Sequence, residues 1–261
     1  MSQWSANINV MMKAARIAGR SLMRDFGEVE NLQVSRKGPG DFVSRADTRA
    51  EEIIREILTE ARPNYGWLGE ETGEIAGDDP TRRWIVDPLD GTTNFLHGLP
   101  HWAVSIALEH KGKITAGVIL NPAGEEMFVA EKGGGAWVND RRIRVSNRSD
   151  WNDMLFATGL PFGARDDLPE TLQDLARLLP GSSGVRRAGS AALDLAYVAA
   201  GRYDAYWERN LNLWDIAAGL ILVTEAGGFL GPIEDGKPLE QSLIATNGEV
   251  FERFTKRLRE G

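Results

Sequence analysis

The chain has 261 residues, 42% hydrophobic and 26% charged, enough to bury a sizeable core in one large domain or two modest ones. Thirty basic against 38 acidic side chains give a formal charge of -8, which argues against a surface built to neutralise many nucleic-acid phosphates; a small phosphate can still be held locally by backbone N–H groups or bound cations. The absence of cysteine excludes disulfides, thiolate catalysis and cysteine-ligated zinc or iron–sulfur sites, and no apolar run approaches membrane-spanning length. The opening stretch MSQWSANINVMMKAARIAGR lacks the pattern of a secretory signal, so a cytoplasmic address is expected.

In chain order, Ile8, Met11, Met12, Ala15, Ala18, Leu22 and Phe26 recur at helical spacing and predict an amphipathic helix over about residues 4 to 26. Leu32 and Val34 suggest a short strand, and KGPGD a loop. A second helix is expected from Ser44 until Pro63 stops it, with Ala46, Ala50, Ile54 and Leu58 on its apolar face and Asp47 in its first turn. WLGEETGE runs from apolar residues into Glu70 and Glu71, and WIVDPLDGTTNF does the same into Asp87 and Asp90. Trp84, Ile85 and Val86 form a run suited to a strand covered on both faces, which places Asp87 at the strand's carboxyl end, where sheets of this kind hold ligands. From Lys111 to Val145, short alternating runs (ITAGVIL, EMFVAE, GAWVN, RIRVS) predict an antiparallel meander, with Gly133-Gly134-Gly135 as a hairpin connection. After about Asp150 strands and helices alternate, as in an α/β unit. The expected organisation is therefore an α+β lobe over residues 1–148 and an α/β lobe over residues 149–261.

Taken singly, the acids have structural explanations. Asp90 could cap the helix start in DGTTN, and in NLWDIAAG Asn212 could cap a helix that carries Asp215 in its first turn. Taken together, Glu70, Asp87, Asp90 and Asp215 supply hard oxygen ligands and no imidazole, which suits Mg²⁺. Close carboxylates repel unless one takes a proton or a cation lies between them, and a helix start offers N–H groups to an anion. A magnesium site beside such a start suits hydrolysis of a phosphate ester. His97 and His101 are separated by Gly98 and Pro100, which disfavours a helical metal pair. Arg186-Arg187 is either a solvated pair or a contact to a second charged group of a substrate, and Trp207, beside Glu208, could line the pocket.

Gly69-Glu70-Glu71, the run from Asp87 to Asn94 and the run from Trp214 to Gly219 stand in the order and spacing of the inositol monophosphatase family, magnesium-dependent and lithium-sensitive phosphatases that this chain resembles from about residue 5 to 250. The resemblance implies a layered α/β/α/β/α sandwich, a homodimer, and two or three Mg²⁺ per active site. It implies that Glu70, Asp87 and the Leu89 carbonyl bind one ion and Asp87, Asp90 and Asp215 a second. Thr92, with Asp47 as hydrogen-bond partner, and Glu70 would handle the attacking water; the Gly91 and Thr92 amides would hold the phosphate; Asp90, Gly189, Ser190, Ala191 and Glu208 would meet the substrate hydroxyls. The reaction implied is hydrolysis of myo-inositol 1-phosphate or a related polyol phosphate by in-line attack of a metal-activated water. Histidinol phosphate, fructose 1,6-bisphosphate or a 3′-phosphonucleotide are the alternative substrates, and a regulatory protein that binds the transcription machinery is the alternative of another class. Asn210 stands where many members have glycine, and asparagine tolerates the positive φ that the loop would need.

Overall fold

A computed structural model describes residues 4–27, 34–38, 41–161 and 167–260. The chain runs α1 (Ala6–Phe26), β1 (Val34–Gly38), β2 (Asp41–Ser44), α2 (Arg45–Ala61), β3 (Tyr65–Gly69), β4 (Gly73–Ile75), β5 (Asp79–Asp90), α3 (Thr92–Leu96), β6 (Ala103–His110), β7 (Lys113–Asn121), β8 (Glu126–Glu131), β9 (Gly135–Val138) and β10 (Arg141–Ile143). A single 3₁₀ turn at Trp151–Asp153 leads into β11 (Leu155–Thr158), α4 (Leu168–Leu178), β12 (Gly184–Arg186), α5 (Ala191–Ala199), β13 (Ala205–Arg209), α6 (Leu213–Glu225), β14 (Phe229–Gly231), β15 (Ser242–Thr246) and α7 (Phe251–Arg259). Leu32, expected in a short strand, and Pro39-Gly40 of the expected loop lie outside the described residues; β1 and β2 on either side of that loop pair antiparallel.

The first sheet has eight strands in the order β10-β9-β8-β7-β6-β5-β3-β4, and the second five in the order β12-β11-β13-β15-β14. In the first, β3 and β5 pair in parallel and the remaining pairs are antiparallel, so the expected meander forms one wing of the sheet. In the second, β11 pairs in parallel with both β12 and β13, while β15 runs antiparallel to β13 and β14. All strands of the first sheet precede residue 149 and all strands of the second follow it.

Side-chain alternation sorts the apolar residues into three cores. Trp84 and Val86 face α1 and α2 with Ile8, Met11, Ala50 and Ile54, whereas Ile85, one residue along, faces α5 and α6 with Leu195, Ile216 and Ile221. That second core continues to Ala157, Tyr206 and Ala245 on the inner face of the second sheet. Trp207 and Ile244 point the other way, into a third core with Phe254 and Leu258 of α7 and Leu178 of α4. The layers are therefore α1/α2, first sheet, α5/α6, second sheet and α4/α7. The middle helices are rich in alanine and largely buried, as a helix covered on both faces must be.

Candidate active site

β5 is the spine of the site. Asp87 pairs with Ser105 and Asp90 with Ala103, so β5 carries one residue more than β6 between the two pairs, a bulge at Pro88-Leu89. A proline at a bulge removes no ladder hydrogen bond. The sequence expectation that Asp87 ends the strand is corrected by this geometry, since pairing resumes at Asp90. The Asp87 carboxylate accepts from the Leu89 N–H at 2.9 Å, which holds it within the bulge.

Asp90 does not cap the helix that follows it. The cap of α3 is Gly91, at φ 95°. A Cβ there would sit 3.0 Å from the His101 carbonyl oxygen and 3.3 Å from that of Gly189, so the position takes glycine on both counts. Asp90 reaches instead to the start of α5, where its Oδ2 accepts from the Ser190 hydroxyl at 2.5 Å and the Ala192 N–H at 2.7 Å. Asn94 fastens α3 to the same segment, its amide donating to the His101 carbonyl at 2.7 Å and the Ala188 carbonyl at 2.8 Å.

Two further elements bring acids to β5. At the end of β3, the Glu70 N–H donates to the Val86 carbonyl at 3.2 Å. At the start of α6, Asp215 Oδ2 accepts from the N–H of the cap residue Asn212 at 2.6 Å, so the capping expected of this pair is present. Glu70, Asp87, Asp90 and Asp215 all line one cavity, together with Leu89, Gly91 and Thr92. Asp47, on α2, stands behind Thr92: the Thr92 hydroxyl donates to the Leu89 carbonyl at 2.9 Å and lies 3.4 Å from Asp47 Oδ2. Ligand atoms of Asp47, Glu70 and Glu71 come within 4.8 Å of one another.

Electrostatics follow from this crowding. Burial, then Glu70, Asp90, Asp215 and Asp47, push Asp87 well above the usual carboxylate range. Burial also raises Asp90 to about 6, although the hydrogen bonds from Ser190, Ala192 and Ala191 oppose the rise. Asp215 is raised mainly by burial, with the Asn212 N–H opposing and Asp90, Glu70 and Glu208 adding to it. Carboxylates held this close repel one another, and either a proton or a cation between them relieves that repulsion.

Gly189, Ser190, Ala191 and Glu208 line the same cavity on the side of the second sheet. Glu208 Oε2 accepts from the Tyr206 hydroxyl at 2.5 Å. Arg187 lines the cavity as well, the one cation among six carboxylates of its described lining, so of the two adjacent arginines it is Arg187 that reaches the cavity. Trp207 does not line the pocket: it is fully buried against α7, because alternation along β13 turns it away from Tyr206 and Glu208. His101 is half-buried and packed edge-on against Tyr197 at 5.9 Å, and the hairpin Gly133–Gly135 spends two N–H groups on the Glu225 carboxylate. Asn210 adopts φ 56°, and its side chain donates to Asp167 at 2.9 Å.

Three residues escaped the sequence reasoning. In the sequence Asn94 reads only as part of a helix start, and Asp194 and Glu51 are not singled out at all. Asp194 is buried in the cavity lining and raised well above the usual range by burial and by Glu208 and Asp90, with Arg187 opposing. The (i, i+4) spacing from Asp47 is the one signal the sequence offers for Glu51, and its burial is visible only in the fold.

A sequence model of the inositol monophosphatase family matches residues 3–261. The chain is 56% identical to an inositol-1-monophosphatase of Rhizobium meliloti, over 98% of this chain and 96% of that one, and 45% identical to the Nus factor SuhB of Pseudomonas aeruginosa, over 94% and 92%. The crystal structure of the extragenic suppressor protein suhB from Bartonella henselae superposes with a TM-score of 0.95 at 54% identity, covering 98% of this chain and 100% of that one. On the match of its whole length and on the layers, strand order and acidic cavity described above, the chain belongs to the inositol monophosphatase family of phosphatases.

Proposed function

We propose that the protein hydrolyses a small polyol phosphate monoester, myo-inositol 1-phosphate foremost, with Mg²⁺ as cofactor. The observation that carries this reading is the convergence of Glu70, Asp87, Asp90 and Asp215, from three distant parts of the chain, on one cavity beside the Gly91-Thr92 turn. The donor set fits the ion: it is all oxygen, and the mutual repulsion that raises Asp87 is what a divalent cation relieves. In this reading Glu70, Asp87, Asp90, Asp215 and the Leu89 carbonyl hold the metal, two or three ions per site. The bound cation neutralises phosphate charge and makes water a better nucleophile.

The chain's own groups supply the rest. The Gly91 and Thr92 amides hold the phosphoryl oxygens. The Thr92 hydroxyl has two acceptors in reach, the Leu89 carbonyl and Asp47. When its proton turns to Asp47, its lone pairs face the cavity and, with Glu70, orient a water for in-line attack on phosphorus. The ester P–O bond breaks as the new one forms; the water's oxygen and one hydrogen stay on the phosphate, and its other proton passes by way of solvent to the departing alkoxide. Asp90, Glu208 and the Gly189-Ser190-Ala191 start of α5 face the substrate hydroxyls, with Glu208 steadied by the Tyr206 hydroxyl.

Phosphate release from myo-inositol 1-phosphate, measured with Mg²⁺, with EDTA and after Asp90→Asn, tests the assignment: activity that survives either change refutes it. A panel with histidinol phosphate, fructose 1,6-bisphosphate and a 3′-phosphonucleotide tests the substrate, and a preference of about a hundredfold in kcat/KM for any of these three would replace inositol phosphate. Lithium sensitivity, a homodimer, a division into lobes at residues 148/149 and a cytoplasmic location belong to the same reading; among the described residues no helix is long and apolar enough to cross a membrane. The similarity to a relative named Nus factor SuhB favours one second reading, a regulatory contact with the transcription machinery. Retention of RNA polymerase or its elongation factors by the immobilised protein would support it, and their absence from the eluate would count against it.

A further inference from the structure

We infer that Glu51 is a positioning residue that sets the Glu70 carboxylate for the cation, an inference that rests on the metal-site reading above. Glu51 lies on α2 and is 1% exposed. A buried carboxylate is costly unless its oxygens are satisfied. Among the described residues its bonds go to one place, the turn that follows Glu70: Oε2 accepts from the Glu71 N–H at 2.8 Å, and Oε1 from the Thr72 N–H at 2.9 Å and the Thr72 hydroxyl at 2.6 Å. Thr72 is held a second time, its hydroxyl oxygen accepting from Trp67 Nε1 at 2.9 Å.

Glu70 is thereby gripped from both sides. Its own N–H is tied to β5 through the Val86 carbonyl at 3.2 Å, and the two peptide N–H groups after it are tied to α2 through Glu51. The same packing accounts for the glycine of Gly69-Glu70-Glu71. A Cβ at position 69 would lie 2.7 Å from Glu51 Oε2 and 2.5 Å from Trp67 Nε1, so a side chain there would expel the carboxylate that organises the turn. Asp47, one helical turn before Glu51, has a ligand atom within 4.8 Å of those of Glu70 and Glu71. One face of α2 thus presents two acids at (i, i+4), one beside Thr92 and one under the Glu70 turn, and fixes the spacing between the β3 and β5 ends of the site.

The test measures metal binding without substrate, by the electron paramagnetic resonance signal of free Mn²⁺ titrated into the full-length protein. Glu51→Gln keeps the shape of the side chain but sets an NH₂ against an N–H donor of the turn. The expected result is a loss of about tenfold or more in Mn²⁺ affinity, the usual consequence of removing a partner that orients a metal ligand. Glu52→Gln, on the exposed face of the same helix, should leave affinity unchanged. In a Glu70→Gln background the Glu51→Gln change should add no further loss, because Glu51 acts through Glu70. Unchanged affinity in Glu51→Gln with a lowered Tm, or losses that simply add in the double variant, would overturn the proposal and leave Glu51 a fold-stabilising residue only. Should Glu51→Gln fail to fold, Thr72→Val removes one of the three donors and is expected to weaken Mn²⁺ by about threefold, the worth of one hydrogen bond; no loss there overturns the proposal equally. Failure of the unaltered protein to bind Mn²⁺ would overturn this inference and the metal-site reading together.

Discussion

Replacing Asp90 by asparagine is expected to abolish hydrolysis while making the metal-free protein more stable. The Asp90 carboxyl rises from 3.8 to about 6 in the folded chain, burial being the chief cause. A raised carboxyl disfavours the ionised folded form. The cost is absent below pH 4, grows as pH rises through about 6, and stands at about 3 kcal/mol at pH 7. An amide at position 90 carries no such cost. It still offers an oxygen to Ser190 and Ala192, but its NH₂ is set against the Ala191 N–H, a buried donor facing a donor, which offsets about 1–2 kcal/mol. The remainder, about 1–2 kcal/mol, raises Tm by about 2–8 °C for a chain of this size. Calorimetry in EDTA at pH 7 measures it beside phosphate release with Mg²⁺, and repetition at pH 4 should remove the advantage. A variant that melts lower than the parent at pH 7 would refute the view that this carboxylate is held at a cost.

Asp87 and Asp215 are raised in the same direction, so stability of the metal-free protein should fall as pH rises from about 4 to 7, and the Tm gained on adding Mg²⁺ should be larger at pH 7 than at pH 5; a gain independent of pH would contradict this. Gly91→Ala, at φ 95° and with a Cβ 3.0 Å from the His101 carbonyl oxygen, should cost about 1–3 kcal/mol and most of the activity, read by thermal melting and phosphate release. Asp204 is fully buried and accepts from the Ser146 hydroxyl, from Arg148 at 2.8 Å and from the Leu155 N–H at 2.8 Å, so Asp204→Ala should destabilise by about 3–5 kcal/mol in urea unfolding with KM unaltered. Arg187→Ala should change KM for a polyol phosphate more than kcat, and equal changes in both would place Arg187 outside substrate recognition.

Sequence patterning made much of this legible because it depends on near neighbours. The long apolar stripe of α1, the run Trp84-Ile85-Val86 and the alternating strands of the meander each carry their own period, and each formed where that period placed it. The acids were visible as acids because they interrupt such runs. What the local pattern could not show is register and long-range pairing. The bulge at Pro88-Leu89 exists only relative to β6, and the bond from Asp90 to the start of α5 spans 100 positions. β4 and β14 are three residues each, too short to show a period. Glu51 reads from sequence as a helix-surface acid, since nothing nearby reveals that a tryptophan and a glycine of another strand close over it.

The middle helical layer explains how so many acids can be tolerated in one place. The starts of α5 and α6 both open on the cavity, and each already holds a carboxylate: Asp90 bonds the Ala192 N–H of α5, and Asp215 the Asn212 N–H that caps α6. Helix starts favour negative charge. Here that preference is directed to the protein's own acids, so the amides keep Asp90 and Asp215 fixed in position and oppose the rise that burial imposes on them. The two N-termini that a phosphate would otherwise seek are therefore occupied, and what they present to the cavity is net negative. On the proposed function an anionic substrate gains from this arrangement only when a cation intervenes, and the backbone it would meet is the short Gly91-Thr92 turn that lines the cavity. On the function proposed above, the helices would make the cavity a site for metal first and for phosphate second, an order set by where the carboxylates are bonded rather than by how many there are.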